Sequence, residues 1–482
     1  MRSKSFRSVV WMPLIVVALV AAFAAPAGAQ APARANNVDV TASPGNEAED
    51  AVAVNPRDPR NVVAMSTLPD TVAGLAVGAT FDGGATWTRQ VIGADAPLGP
   101  ICCDEQMAFD RFGNLWVTYL VNTSANVFLA LSTDGGLTFH VATQVVPTSP
   151  PGSRPRPGAA SKQLGGLIGR PDAASADQPS ISTGPDSVWV SYTSSSSVVI
   201  QAAGADVTGL GQFGAFTPPE TVPTGRAVGD YGDTAVGPHG QVMVTYQDQT
   251  GGERGTRIFT AVDPDGLGPD GFSDPVLLAT SRVGGFDYIP AQPDRSVDAE
   301  ANLGFDRSSG AHNGRVYAVW TQETPNESNN MDIMLQYSDD GGATWTPAVR
   351  LNDDHGVNSQ FDPSIAVDQT SGGVAVSWYD ARNDLGTGGS GDTDGIPNDD
   401  VQVWATYSTD GGSTWVPNFR VSQGTSNAVD ADSGFDYGDY THAAFDAHRF
   451  YPVWSDNSNS TGTNPDGTLH QLDLYLGRIR IP

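Results

Sequence analysis

The chain has 482 residues, with 54 Asp and Glu against 25 Lys and Arg, a formal net charge of −29. Acidity on this scale excludes nucleic acid and anionic membranes as partners, because both are bound through basic patches. It suits solubility outside the cell and the binding of cations.

At the N-terminus, Arg2, Lys4 and Arg7 precede an apolar run over residues 9–25, and Ala27-Gly28-Ala29 follows. A basic start, an apolar middle and small residues at the end predict a signal peptide over 1–29 and a secreted protein. No later stretch approaches the ~20 apolar residues of a membrane span, so no integral membrane association is expected. The remaining length suffices for one large core. The two cysteines, Cys102 and Cys103, are adjacent; in an oxidising compartment they form a vicinal disulfide, stay as thiols or pair between chains.

From residue 49 onward the chain repeats a pair of strands with apolar and polar residues alternating at period two. The first pair starts at Glu49. Glu105-Gln-Met-Ala-Phe-Asp110 leads into Leu115-Trp-Val-Thr-Tyr119, and Asp177-Gln-Pro-Ser-Ile181 into Val188-Trp-Val-Ser-Tyr192. Longer copies span 233–246, 300–320 and 439–454, and Asp362-Pro-Ser-Ile-Ala-Val-Asp368 precedes Gly373-Val-Ala-Val-Ser-Trp378. The seventh pair is followed by a strand at 472–478, whose outer neighbour is expected to be residues 37–41.

A second motif follows several of these pairs: Thr80-Phe-Asp82-Gly-Gly84-Ala-Thr86-Trp87, Ser132-Thr-Asp134-Gly-Gly136-Leu-Thr138-Phe139, Ser338-Asp-Asp340-Gly-Gly342-Ala-Thr344-Trp345 and Ser408-Thr-Asp410-Gly-Gly412-Ser-Thr414-Trp415. A tight turn explains it: the carboxylate accepts backbone N–H groups, and the glycines adopt positive φ. Degenerate copies lie near 206–216 and 263–272.

This motif is the Asp-box, and on it the chain resembles the sialidase-like BNR propellers. The resemblance implies an all-β fold and structural roles for Asp82, Asp134, Asp340 and Asp410, away from the ligand face. Counting inner-strand pairs predicts a seven-bladed β-propeller of four-stranded blades rather than six or eight. One domain over 37–482 suffices, with the N-terminal strand closing the last blade and removing a free sheet edge.

Loops between blades, and between second and third strands, share the face opposite the Asp-boxes. The starts of the inner strands are acidic around the ring: Glu49, Asp104, Asp177, Asp230, Asp233, Glu300, Asp362 and Asp439. Crowded carboxylates raise one another's pKa, recruit a cation or hold sugar hydroxyls; the bland alternative is that they cap backbone N–H groups of the next blade. The candidate catalytic carboxylates are Asp230, Asp233, Glu300, Asp362, Asp380 and Asp439. Arg382, in Trp378-Tyr-Asp380-Ala-Arg382, is the candidate grip for a substrate carboxylate. Tyr231 and Tyr437, each in an Asp-Tyr-Gly-Asp phrase, and Tyr288 are candidates to face the cleft. A loop at 147–176 holds Arg154, Arg156, Lys162 and Arg170.

Two loops carry oxygen ligands at calcium-loop spacing: Asp392, Asp394, Asp399 and Asp400, and Asp263, Asp265 and Asp270. Calcium is the one cofactor expected. No zinc cluster, nucleophile elbow or phosphate loop is present in the sequence. Sialidases use three arginines on the substrate carboxylate and carry an Arg-Ile-Pro phrase in the first blade. The first blade here lacks it; Tyr288-Ile-Pro290 only echoes it, without the arginine and in a later blade, and Arg226, Arg282, Arg295 and Arg382 form no recognisable triad. The expectation is a monomeric, secreted propeller acting on or binding extracellular glycans: a sialidase-like glycoside hydrolase or a polysaccharide lyase if an enzyme, and otherwise a non-catalytic, calcium-stabilised propeller that binds glycan or protein.

Overall fold

A computed structural model describes residues 36–482 apart from 70–72, 122–125, 146–175, 195–197, 225–227, 249–251 and 432. Residues 1–29, expected to be a signal peptide, the basic loop residues Arg154, Arg156, Lys162 and Arg170, and Arg226 lie outside the described residues.

The apolar alternation folds as predicted, into seven antiparallel blades. Blade 1 runs Ala48–Val54, Val62–Thr67, Leu75–Thr80 and Thr88–Ile92, and blade 2 Ile101–Phe109, Leu115–Val121, Val127–Ser132 and His140–Val145. Blade 3 comprises Ala176–Thr183, Ser187–Ser194 and Val199–Gly209, with two short strands, Gln212–Phe213 and Glu220–Thr221, on its outer edge. Blade 4 is Thr234–Val236, Val242–Gln247, Thr256–Asp263 and Val276–Ser281. Blade 5 is Asn302–Phe305, Val316–Glu323, Met331–Ser338 and Val349–Arg350, and blade 6 Gln360–Val367, Val374–Asp380, Asp400–Ser408 and Phe419–Arg420. Blade 7 is Ala443–Asp446, Arg449–Asp456 and Asp473–Arg480, and the N-terminal strand Asn36–Asp39 pairs with its third strand. Among the described residues the only helix is one turn, Ala428–Ala431.

Each innermost strand touches the next, and the seventh touches the first. The core lies between blades. Val52, Val54, Val62 and Ala64 of blade 1, for example, pack on Tyr451, Val453, Leu474 and Leu476 of blade 7. Second strands are therefore covered on both faces, which explains their fully buried Trp116, Trp320, Trp378 and Trp454. Each such aromatic contributes roughly 1.5–3 kcal/mol of burial.

Two local devices position the site. The Asp-box turns join third and fourth strands in blades 1, 2, 5 and 6. In the first, Asp82 Oδ1 accepts the Ala85 and Thr86 N–H groups at 2.8 and 2.9 Å, and Thr86 Oγ1 donates to Oδ2 at 2.7 Å. Gly83 and Gly84 sit at φ 74° and 88°. Asp134, Asp340 and Asp410 repeat this arrangement.

The second device is a β-bulge near the start of the inner strand. Ala48 pairs with Thr67 but Ala51 with Met65, so Glu49 and Asp50 face one residue. The same slip places Asp104 and Glu105, Gln178 and Pro179, and Asp362 and Pro363 on bulges. The first bulged residue has φ of 62° at Glu49, 60° at Asp104, 42° at Gln178 and 47° at Asp362. Such a bulge re-aims the side chain. Cys102 and Cys103 form a vicinal disulfide just before the blade 2 bulge.

One element was not foreseen: a two-stranded hairpin, Asp287–Ile289 with Gln292–Val297, inserted between blades 4 and 5.

Candidate functional site

Carboxyl groups at the starts of the inner strands act on one another as one cluster at the mouth of the central channel: Glu49, Asp104 and Asp362 on the bulges, Asp298 and Glu300 just after the hairpin, and Asp177, Asp230 and Asp439. The hairpin supplies Arg295. Its Nε donates to Asp439 Oδ1 at 2.6 Å and its Nη2 to the other oxygen, with Glu49 Oε1 at 3.4 Å. The guanidinium lies 4.6 Å from the centre of the Phe435 ring. Asp436 holds the hairpin by accepting the backbone N–H groups of Asp294 and Arg295, both at 2.8 Å.

Some ring carboxylates cap backbone. Asp104 accepts the Gln178 N–H at 2.9 Å. Asp233 accepts Leu303 N–H and Ser180 Oγ, both at 2.7 Å, and so buckles blades 3, 4 and 5 together rather than facing the channel. Others keep one oxygen unengaged. Glu49 Oε2, Glu300 Oε2 and Asp362 Oδ2 are buried without a hydrogen-bond partner. Glu300 and Asp362 line one small cavity with Asp298, Asp439 and Tyr440, of about 10 Å³, the room one water or ion needs.

Burial, then the neighbouring charges, hold these carboxyls above the ordinary range. Burial and then Asp298 and Asp439 do so for Glu300 and for Asp362. Asp298 and Glu49 are likewise raised by burial first, then by Asp439 and Asp104 respectively. Burial takes Asp230 to about 7 and Asp104 to about 6. Tyr231 is buried and faces Asp230 and Asp298, which together with burial keep its hydroxyl protonated.

Other candidates sit elsewhere. Tyr437 does not face a cleft: it is 1% exposed, stacked 4.5 Å from Tyr379, and its hydroxyl donates to Ser426 at 3.2 Å. Asp380 does not face the channel either. It accepts Trp378 Nε1 at 2.7 Å and Arg382 Nε at 2.9 Å, and Trp454 and Asp456 repeat the clasp at 2.9 Å. Arg382 is consumed by structure: Nη1 reaches Asp353 at 2.8 Å, Nη2 Asn418 at 3.0 Å, and its plane covers Trp404. Tyr288 lies on the inserted hairpin, half-buried. Arg282 is exposed, with its backbone N–H on Gln322. Arg282, Arg295 and Arg382 thus occupy separate settings.

The blade 6 loop between second and third strands does gather its acids. One oxygen each from Asp384, Asp392 and Asp400, and likewise from Asp394, Asp399 and Asp400, lie within 4.8 Å of one another. Asp399 is 4% exposed and its Oδ1 has no partner. Asp263, Asp265 and Asp270 do not converge in this way among the described residues. Asp263 Oδ1 instead accepts Asp265 and Gly266 N–H at 3.2 and 2.9 Å, closing a degenerate Asp-box turn.

Asp298, Tyr440 and Asp384 were not singled out from sequence. The spacing in Asp298-Ala-Glu300, a second acid two residues before one already aligned by the repeat, was the available signal for the first.

A model of the BNR/Asp-box repeat matches residues 336–347. No curated protein matches the chain in sequence. Similar solved structures include an α-L-arabinofuranosidase from Fusarium graminearum (12% identity, 72% of this chain and 93% of that one, TM-score 0.44). They also include an α-L-arabinanase from Penicillium chrysogenum (11%, 79% and 99%, 0.45) and a Hadza microbial sialidase (13%, 87% and 76%, 0.43). Likenesses at this identity concern the fold alone. With the matched repeat, four turns of one geometry and seven blades closed into a ring, the chain is a seven-bladed β-propeller that carries BNR/Asp-box repeats.

Proposed function

We propose that the channel mouth is a glycan-processing site, that of an exported glycoside hydrolase acting on neutral rather than sialylated chains. The observation that carries this reading is the pair Glu300 and Asp362. Each has a buried, unpartnered carboxyl oxygen, and both line one cavity beside the Asp439–Arg295 ion pair.

Glycosidic cleavage asks for one carboxyl that protonates the leaving oxygen and a carboxylate that attacks or activates water. Burial and like charges raise both Glu300 and Asp362, which suits one of the two to give its proton to the leaving oxygen while the other, as the carboxylate, takes a proton from the attacking water. Asp439, fixed by Arg295, supplies negative charge toward an oxocarbenium-like transition state. The surrounding acids repel a sialate or uronate carboxylate, which favours neutral sugars. The order of residues 1–29 supports export.

The test uses fluorogenic neutral glycosides and sialosides with wild type, Glu300→Gln and Asp362→Asn. Turnover of a neutral glycoside is expected, with a loss of about 10²–10⁴ in the variant lacking the acid. Preferred turnover of sialosides would overturn the substrate class, and two fully active variants would overturn the residue assignment.

A second reading is a non-catalytic, calcium-stabilised glycan-binding propeller. The convergence of Asp384, Asp392, Asp394, Asp399 and Asp400 in the blade 6 loop favours it. Calcium titration by calorimetry that shows binding lost in Asp399→Asn, with no turnover on any glycoside, would select this reading.

A further inference from the structure

The blade 6 loop between second and third strands folds around its acids. Asp384 Oδ2 accepts the Asp399 and Asp400 N–H groups at 2.8 and 2.9 Å. Asp392 accepts Gly388 and Gly395 N–H, both at 2.7 Å, and Asp394 Oδ1 accepts Ile396 N–H at 2.7 Å. Thr393 Oγ1 donates to Asp400 Oδ1 at 2.8 Å. These donors hold the carboxylates so that one oxygen each of Asp394, Asp399 and Asp400 lie within 4.8 Å of one another. Asp399 is 4% exposed, and its Oδ1 meets no donor at all. Three carboxylates this close repel one another, and a cation among them turns the repulsion into attraction. Irregular all-oxygen ligation from one loop suits calcium better than magnesium, which demands near-ideal octahedral geometry.

The same loop grips the start of the blade 6 inner strand. Asn398, at φ 70°, accepts Ser359 N–H on Oδ1 at 2.7 Å and donates from Nδ2 to Asn329 O at 3.1 Å. Ser359 Oγ donates to that carbonyl too, at 2.7 Å. From the other limb of the loop, Ala381 N–H donates to Ser359 O at 2.9 Å, and Asn358 Nδ2 donates back to Ala381 O at 2.8 Å. Ser359 is thus held by both limbs, and the bulge that carries Asp362 follows Phe361 directly.

We infer that a calcium ion held by Asp394, Asp399 and Asp400 fixes Asn398 on Ser359, and through it the position of Asp362 at the channel mouth. The inference rests on the reading of this loop as a cation site and adds a regulatory consequence to it. Asn398 lies inside the ligand segment, next to Asp399. Repulsion that spreads the empty loop therefore pulls on the Asn398–Ser359 bond, and the bound ion relieves it.

Calcium and magnesium binding to the purified protein is measured by calorimetry. Hydrogen exchange of the Ser359 amide, and of peptides covering residues 358–367, is followed in calcium, in magnesium and in chelator. Wild type is expected to bind one calcium and to exchange roughly tenfold more slowly at Ser359 with calcium than with chelator, because the ion suppresses local opening. Magnesium is expected to leave exchange as in chelator; an equal response to both ions would overturn the assignment to calcium. Asp399→Asn is expected to lose binding and exchange response together. Asp394→Asn, which alters an exposed carboxylate, is the second variant should Asp399→Asn fail to fold, and a folded variant of either kind that keeps both responses would overturn the ligand set. Asn398→Gly keeps the positive φ without strain and removes both side-chain bonds. It is expected to bind calcium as wild type does, with exchange over 358–367 that no longer responds. Absence of calcium binding in wild type would overturn the cation reading and the inference with it. Binding that leaves Ser359 exchange unmoved, or a response retained in Asn398→Gly, would overturn the coupling to Asp362 alone.

Discussion

Replacing Arg295 by Met tests the electrostatics of the channel mouth most directly. The guanidinium is 19% exposed, bonds both oxygens of Asp439, and approaches Glu49 at 3.4 Å. It is the attraction that lowers Glu49, Asp104 and Asp298 against their burial. Removing one partner of a buried ion pair costs about 3–5 kcal/mol. At about 2 °C per kcal/mol for a large chain, that is a fall of roughly 6–10 °C in Tm. The loss also acquires a pH dependence. Without Arg295 the folded pKa of these carboxyls rises further above the unfolded value, and a group so raised forfeits stability as pH climbs through its folded pKa. Calorimetry should therefore show a larger deficit at pH 8 than at pH 5. Adding Asp439→Asn should restore about 1 kcal/mol or more, because the two residues are in contact. A Tm within about 1 °C of wild type at both pH values, or a larger deficit at pH 5, would refute the reasoning.

In chelator, wild type itself should melt at a higher temperature at pH 5 than at pH 8. Burial takes Asp50 and Asp230 to about 7 and Asp104 to about 6, so their stability contribution falls as pH rises from the unfolded value near 4. His442, lowered by burial to about 4, opposes this only below its unfolded 6.5. Arg382→Ala should lower Tm through lost contacts with Asp380, Asp353 and Trp404 while leaving glycoside turnover unchanged; abolished turnover in a folded variant would restore it to the substrate site. Asp134→Ala should cost about 1–2 kcal/mol in urea unfolding, since Leu137 N–H, Thr138 N–H and two hydroxyls lose their acceptor, again without effect on activity.

The blade count was legible because it rests on local signals, a strand period of two and a turn motif that closes on itself within five residues. The closing strand was legible because a seventh pair without an Asp-box implied a missing neighbour. The carboxylates at the inner-strand starts could be read as a set, since the repeat aligns them. Roles set by distant partners could not. Arg382 looks free in sequence, but its acceptors Asp353 and Asn418 are 29 and 36 residues away. Tyr437 shares its Asp-Tyr-Gly-Asp phrase with Tyr231 yet is stacked into the core on Tyr379. The hairpin that delivers Arg295 is short and polar, so no periodicity marks it, and its partner Asp439 lies 144 residues on.

The bulge explains why acids accumulate at this mouth. A regular inner strand points alternate residues into the neighbouring blades, where a carboxylate would need a partner such as Thr67 for Glu105 or Ser455 for Asp50. The extra residue turns one side chain out of that alternation, at the expense of positive φ at Glu49, Asp104 and Asp362. Non-glycine residues pay roughly 1–3 kcal/mol for such backbone conformations, and an unpartnered buried carboxyl adds to the cost. Glycine would remove the strain and asparagine the charge, yet three of the four bulges carry both penalties, and the fourth puts Gln178 on Asp439 at 3.0 Å. Strain and charge thus recur at one place in blades 1, 2 and 6. Under the proposed function they are accounted for by a ligand that meets the carboxyls at the channel mouth rather than at the better-satisfied clasps of Asp380 and Asp456.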